Sequence, residues 1–78
     1  MKLPRGIGSD RLIRTLEKLG YSVIRQKGSH IRLSHPGPPG HFVTVPNHDP
    51  LKTGTFHGVL VEVAQARAIS VEKIVELL

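Results

Sequence analysis

The chain has 78 residues, a length that allows one domain, residues 1–78, with a thin hydrophobic core. It has no cysteine, which excludes disulfides and thiolate metal sites. Eleven Lys and Arg residues against six Asp and Glu residues give a formal net charge of +5. This excess favours polyanionic partners such as nucleic acid, although a basic surface kept for solubility is the alternative explanation. Without a long apolar run or a secretory signal, we expect a cytoplasmic protein that does not bind membranes.

The first predicted element is an amphipathic helix over residues 9–19. Its apolar residues recur at helical spacing, at Leu12, Ile13, Leu16 and Leu19. Ser9 is predicted to cap its N-terminus, and Gly20 stands where a glycine commonly ends a helix.

The middle of the chain has the residue pattern of β-strands, at residues 21–26, 30–34 and 41–45. Residues 27–29 (Lys-Gly-Ser) predict a turn between the first two strands. Residues 36–40 contain three prolines and therefore predict a loop, and Pro46 is predicted to end the third strand. The simplest arrangement is three antiparallel strands joined by two hairpins.

Two helices are predicted after the strands. The first carries a continuous apolar stripe of Phe56, Val59, Leu60, Val63 and Ala64, and Thr53 or Thr55 is predicted to cap it. Ser70 is predicted to cap a short final helix. The resulting fold class is α+β, in the order α-β-β-β-α with a short additional helix. Helices cover one face of the sheet in this prediction, and the other face is open.

The most informative polar residue is His30, which follows the predicted turn. Its strand position predicts that it faces away from the apolar Ile31 and Leu33. Cations on the same hairpin are Arg25, Lys27 and Arg32. A histidine exchanges protons near neutral pH, and neighbouring cations can hold a phosphodiester and stabilise charge growing on its oxygens. This combination is sufficient for RNA cleavage without a metal, although a polar sheet face is the alternative explanation.

The other histidines give weaker signals. His35 and His41 flank the proline loop and are predicted to face each other across a hairpin, but no third ligand is apparent and we expect no metal site. His48 lies in a loop, where a capping role and a site role compete. With only three aromatic residues, the chain does not predict a base-stacking platform, so contacts with RNA are expected to involve phosphates and sugars.

Two segments resemble the HicA (also called YcfA) family of small toxins. They are residues 20–30, which include the specific Arg-Gln-Lys-Gly-Ser-His run, and residues 45–56, which begin Val-Pro-Asn-His. The resemblance covers nearly the whole chain. It departs at Arg67-Ala68-Ile69, where many members have Ala-Gly-Ile, and at residues 31–33, where many have a second histidine or an aromatic residue.

The resemblance implies a fold similar to a double-stranded-RNA-binding domain and an mRNA interferase activity inhibited by a HicB-type antitoxin. It also implies that His30 is the catalytic histidine. Our primary hypothesis is therefore a metal-independent endoribonuclease without a cofactor. Its expected RNA-binding residues are Arg25, Lys27, Gly28, Ser29, Arg32 and His48. Either a water or His48 would supply the second proton transfer. The alternative hypothesis is a non-catalytic RNA- or protein-binding module with the same fold.

Overall fold

A computed structural model describes residues 2–78, and it confirms the predicted α+β class. The elements in chain order are α1 (Ser9–Lys18), β1 (Ser22–Lys27), β2 (His30–His35), β3 (His41–Pro46), α2 (Thr53–Arg67) and α3 (Val71–Glu76). Among the described residues, no helix is both long enough and apolar enough to cross a membrane.

The three strands form one antiparallel sheet in the order β1-β2-β3, as predicted. The apolar residues that alternate along β2 and β3 face the helices and are buried: Ile31, Leu33, Val43 and Val45. They share one core with buried residues of the helices, among them Leu12, Leu16, Leu60, Val63 and Ile74. The intervening residues of the strands face away from the helices, so the helices cover one face of the sheet and leave the other open.

The C-terminus of α1 confirms the prediction for Gly20. This residue has a φ of +100°, its amide donates to the Glu17 carbonyl (3.0 Å), and the Tyr21 amide donates to the Leu16 carbonyl (3.1 Å). These two bonds define a Schellman motif, in which a left-handed residue lets the chain leave the helix with its last carbonyls paired. The motif directs the chain into β1.

Two of the three predicted helix caps are wrong. The residue that precedes α1 is Gly8, and Ser9 is the first helical residue, because the Ser9 side chain is buried and bonded elsewhere. Lys52 precedes α2 without any side-chain cap, so neither Thr53 nor Thr55 has the predicted role. The cap of α3 is confirmed, since the Ser70 hydroxyl accepts from the Lys73 amide.

The predicted element ends differ from the observed ones by one residue at several places. The first helix ends at Lys18 rather than at residue 19, and β1 runs over Ser22–Lys27 rather than 21–26. The second strand extends to His35, and β3 ends with Pro46 as its last residue rather than one residue before it. Proline is tolerated there because β3 is an edge strand, whose outer side needs no amide donor.

The C-terminus of α2 forms a second Schellman motif, but with alanine at the left-handed position. Ala68 has a φ of +55°. Its amide donates to the Gln65 carbonyl (3.4 Å), and the Ile69 amide donates to the Ala64 carbonyl (3.1 Å). A residue with a Cβ atom is strained in this conformation, by about 1–2 kcal/mol.

We therefore expect Ala68→Gly to stabilise the protein by about 0.5–1 kcal/mol, because glycine removes the strain but adds entropy to the unfolded chain. Urea denaturation measures the change. Ala66→Gly is the matched control, because Ala66 lies within α2, where glycine costs up to about 1 kcal/mol. Destabilisation by both substitutions would contradict the assignment of strain to Ala68.

Candidate functional site

The hairpin between β1 and β2 places His30 at the start of an open strand. Lys27 and His30 are directly paired, which leaves a two-residue turn of Gly28 and Ser29. Gly28 has a φ of +57°, whereas Ser29 has no positive φ, the combination found in type II′ turns. A Cβ atom built at Gly28 would have no atom within 4 Å. The space above the turn is therefore open to a ligand.

The outward-facing side chains next to His30 are cationic. Arg25 pairs with Arg32, and Lys27 pairs with His30. Side chains paired in this way lie on the same face of an antiparallel sheet, with Cβ atoms about 5 Å apart. None of the chain's six acidic residues falls within β1, β2 or β3. The open face is therefore positively charged around the His30 imidazole, and it favours a phosphate ligand.

The groups at this turn have capacity for new hydrogen bonds. His30 is exposed, and, unlike the rings of His35 and His41, its imidazole has no hydrogen-bond partner within residues 2–78. Over the same range, the amides of Gly28 and Ser29 have no acceptor. Two adjacent amides and a free imidazole can together bind a phosphate group and exchange a proton with a bound ribose.

The loop after β3 is attached to the turn through Asn47. The Asn47 amide donates to the Ser29 carbonyl (2.7 Å), and the Ser9 hydroxyl donates to Asn47 Oδ1 (3.0 Å). The Ser9 amide also donates to the His48 carbonyl (2.9 Å). These bonds join the turn, the start of α1 and the loop that carries His48. They also explain the burial of Ser9, whose hydroxyl has an internal partner.

A second polar cluster lies where β3 begins and contains the only tyrosine. The Tyr21 hydroxyl lies 2.7 Å from His41 Nδ1, and His41 Nε2 lies 2.8 Å from Glu62 Oε2. A carboxylate can only accept, so Nε2 carries a proton, and in the neutral ring Nδ1 accepts from the tyrosine hydroxyl. Tyr21 is only 2% exposed. His41 therefore links β3 to Glu62 of α2, and the buried Tyr21 hydroxyl supports His41 rather than contacting a substrate.

His35 completes this cluster, and its neighbours define its tautomer. His35 Nε2 lies 3.0 Å from the Leu19 carbonyl, so it donates. Nδ1 then accepts from the Gly37 amide (2.9 Å) and from Arg67 Nη1 (2.6 Å), while Arg67 Nη2 donates to the Pro39 carbonyl. The predicted position of His35 opposite His41 is confirmed. Within residues 2–78, no three His, Asp or Glu side chains lie close enough together to hold a metal ion.

Burial raises the pKa of the Tyr21 phenol above its ordinary value of 10.0, against the opposing effect of the Arg67 guanidinium. We expect spectrophotometric titration of this single tyrosine to show a midpoint above 10.0 in the native protein and near 10 in denaturant. Because the native state retains the proton more strongly, this group's contribution to stability is complete below pH 10 and is lost as the pH rises through the native pKa.

Tyr21→Phe is the control for this titration, because it removes the phenol and with it this part of the alkaline loss of stability. A native midpoint at or below the ordinary value would contradict the prediction.

The structure brings together six of the seven residues expected to form the site. Five of them surround His30 on or beside the hairpin: Arg25, Lys27, Gly28, Ser29 and Arg32. His48 reaches the turn only through the backbone of its loop, by way of Asn47. The sequence reasoning did not single out two further residues near this face. Asn47 lies within the Val-Pro-Asn-His motif, a signal that could have been used. Phe42 occupies an outward position of an alternating strand and is 54% exposed.

Comparison with known proteins gives a match to one family. The family model described as "HicA toxin of bacterial toxin-antitoxin" matches residues 9–65. This range contains α1, the whole sheet and most of α2, and it includes His30, Asn47 and His48. Neither the comparison with curated proteins nor the comparison with solved structures gives a match.

Proposed function

The chain belongs to the HicA family of toxins of bacterial toxin–antitoxin systems, and we propose that it is a metal-independent endoribonuclease that cleaves mRNA. His30 is the acid/base residue that carries one of the two proton transfers, and a second group carries the other. The RNA-binding residues are Arg25, Lys27, Gly28, Ser29, Arg32 and His48. The observation that carries the proposal is the position of His30, exposed beside a turn with free amides and paired across the hairpin with a lysine.

In the proposed reaction, His30 removes the proton of a ribose 2′-hydroxyl. The 2′-oxygen then attacks the adjacent phosphorus, and the bond from phosphorus to the 5′-oxygen of the next nucleotide breaks. The products are a 2′,3′-cyclic phosphate and a 5′-hydroxyl end. A proton from water or from His48 goes to the leaving 5′-oxygen. General acid–base catalysis of this kind contributes about 10²- to 10⁴-fold to a rate.

The cations have a separate role in this reaction. Negative charge increases on the non-bridging phosphate oxygens as the 2′-oxygen attacks, and donors already in place stabilise that charge most effectively. Lys27 lies across the hairpin from His30, and the amides of Gly28 and Ser29 lie between them in the chain. Arg25 and Arg32 form the next row of the same face and bind neighbouring phosphates.

The test is incubation of the purified protein with labelled single-stranded RNA in the presence of a chelator. We expect cleavage products with 2′,3′-cyclic phosphate ends, and no cleavage of the same strand made with 2′-deoxyribose. Products that require a divalent metal, or cleavage of the deoxyribose strand, would overturn the mechanism. RNA that is bound with a steep salt dependence but left intact would identify a non-catalytic RNA-binding module.

The proposed partner is an antitoxin of the HicB type. An acidic surface docked on the open sheet face would cover His30 and neutralise the adjacent cations at the same time. Co-expression with the neighbouring reading frame, followed by size-exclusion chromatography, tests this proposal. We expect co-elution and loss of cleavage, and separate elution at micromolar concentration would count against it.

A further inference from the structure

The open face carries an exposed aromatic ring whose position has no role in the core. Phe42 pairs with Ser34 of β2 and is 54% exposed, whereas Val43, the next residue in β3, is 2% exposed. The alternation of β3 therefore points the Phe42 side chain away from the helices. A single exposed apolar residue is common on protein surfaces, so a role for Phe42 can be inferred only from the residues around it.

Arg32 holds its guanidinium against this ring. Arg32 Cζ lies 4.9 Å from the centroid of the Phe42 ring, and Arg32 Nη1 donates to Thr44 Oγ1 (3.3 Å). A guanidinium is planar and stacks on aromatic faces. The ring and the cation therefore form one partly charged stacking unit on the sheet surface, and the bond to Thr44 holds the guanidinium beside the ring.

This unit is aligned with the proposed catalytic residue. Along β2, Ser34 (opposite Phe42), Arg32 and His30 are successive outward residues. A strand rises about 3.3–3.4 Å per residue, so the Phe42 row lies roughly 13 Å from the His30 row, with Arg32 midway. An RNA strand whose phosphate is held at His30 would pass Arg32 and bring a base of a nearby nucleotide to the Phe42 ring.

We propose that Phe42 and Arg32 form a base-stacking subsite that binds one unpaired base of the RNA substrate. The inference rests on the proposed function, and it adds that the substrate is single-stranded at this point, because a base within a duplex has no free face to stack on a side chain. Nucleic acid is favoured at this position because Arg32, Arg25 and Lys27 lie on the same face and no acidic residue falls within the strands, while a base offers a flat π-face to the ring and the guanidinium. This subsite differs from our expectation of contacts with phosphates and sugars alone, because one ring and one guanidinium suffice to stack one base.

The direct test uses fluorescence, because the chain has no tryptophan. Phe42→Trp is introduced together with His30→Ala, so that RNA is bound without being cut. We expect quenching by a single-stranded oligoribonucleotide and little change with inorganic polyphosphate, which has charge but no bases. The matched control is His57→Trp with His30→Ala, since His57 is exposed on α2. RNA binding without stronger quenching of the Trp at position 42, or quenching there only by a protein antitoxin, would overturn the subsite.

A second test uses cleavage by the protein with His30 intact. Loss of base stacking on an aromatic residue weakens single-strand binding by roughly 5- to 150-fold, so we expect Phe42→Leu to raise KM within this range with a much smaller change in kcat. Phe42→Tyr should restore most of the affinity, because the ring is retained. An unchanged KM in Phe42→Leu would overturn the subsite and leave the proposed endoribonuclease standing. Absence of cleavage by the unsubstituted protein would instead overturn the proposed function.

Discussion

His30→Ala is expected to lower the rate of RNA cleavage by about 10²- to 10⁴-fold, the usual contribution of a general acid–base group, while the fold is unchanged. The imidazole is exposed and has no hydrogen-bond partner among the described residues, so its removal costs little in stability. Substitutions of this kind usually change the free energy of unfolding by no more than about 0.5 kcal/mol. The rate is measured with labelled RNA in chelator, and the stability by urea denaturation of the same preparation.

The matched control is His57→Ala, which removes another exposed histidine, located on α2. We expect this variant to cleave RNA at the rate of the unsubstituted protein. An equal rate in the His30 variant would reject its assignment as the acid–base group. A large loss of stability in that variant would show that His30 supports the hairpin rather than the reaction.

Leu33→Ala is expected to have the largest effect on stability, at about 2–5 kcal/mol. Leu33 is completely buried between the sheet and the helices, so truncation removes apolar contact and leaves a cavity. A chain of this length has a total free energy of unfolding of about 4–12 kcal/mol, so the loss is a large part of the total. Thermal or urea denaturation of the purified variant measures it.

Val23→Ala is the control for this substitution. Val23 pairs directly with Leu33 across the hairpin, but it is 45% exposed, because β1 lies at the edge of the sheet. We expect it to cost well under half as much. Equal losses in the two variants would show that the core extends under β1 and that Val23 contributes to it as much as Leu33 does.

These two predictions concern opposite faces of one strand, and the sequence determined that division. In β2, the outward His30 and Arg32 alternate with the buried Ile31 and Leu33, as a period of two requires. The glycine that ends α1 and the cap of α3 were also predicted correctly, because each depends on the conformation of a few neighbouring residues. The proposed site is concentrated at one hairpin, so local spacing was sufficient to group most of its members.

Contacts between residues far apart in the chain could be seen only in the tertiary structure. Ser9 looks like a helix cap in sequence, but its hydroxyl instead donates a hydrogen bond to Asn47, 38 residues away. Tyr21 was predicted as a strand residue, yet its hydroxyl is bonded to His41 and its ring lies beside the Arg67 guanidinium. A local sequence pattern does not predict these contacts, because a buried hydroxyl or ring pairs with whichever group the packing places next to it. Local propensities determined the elements and the face on which His30 lies, and only the packing of those elements determined how its turn is held.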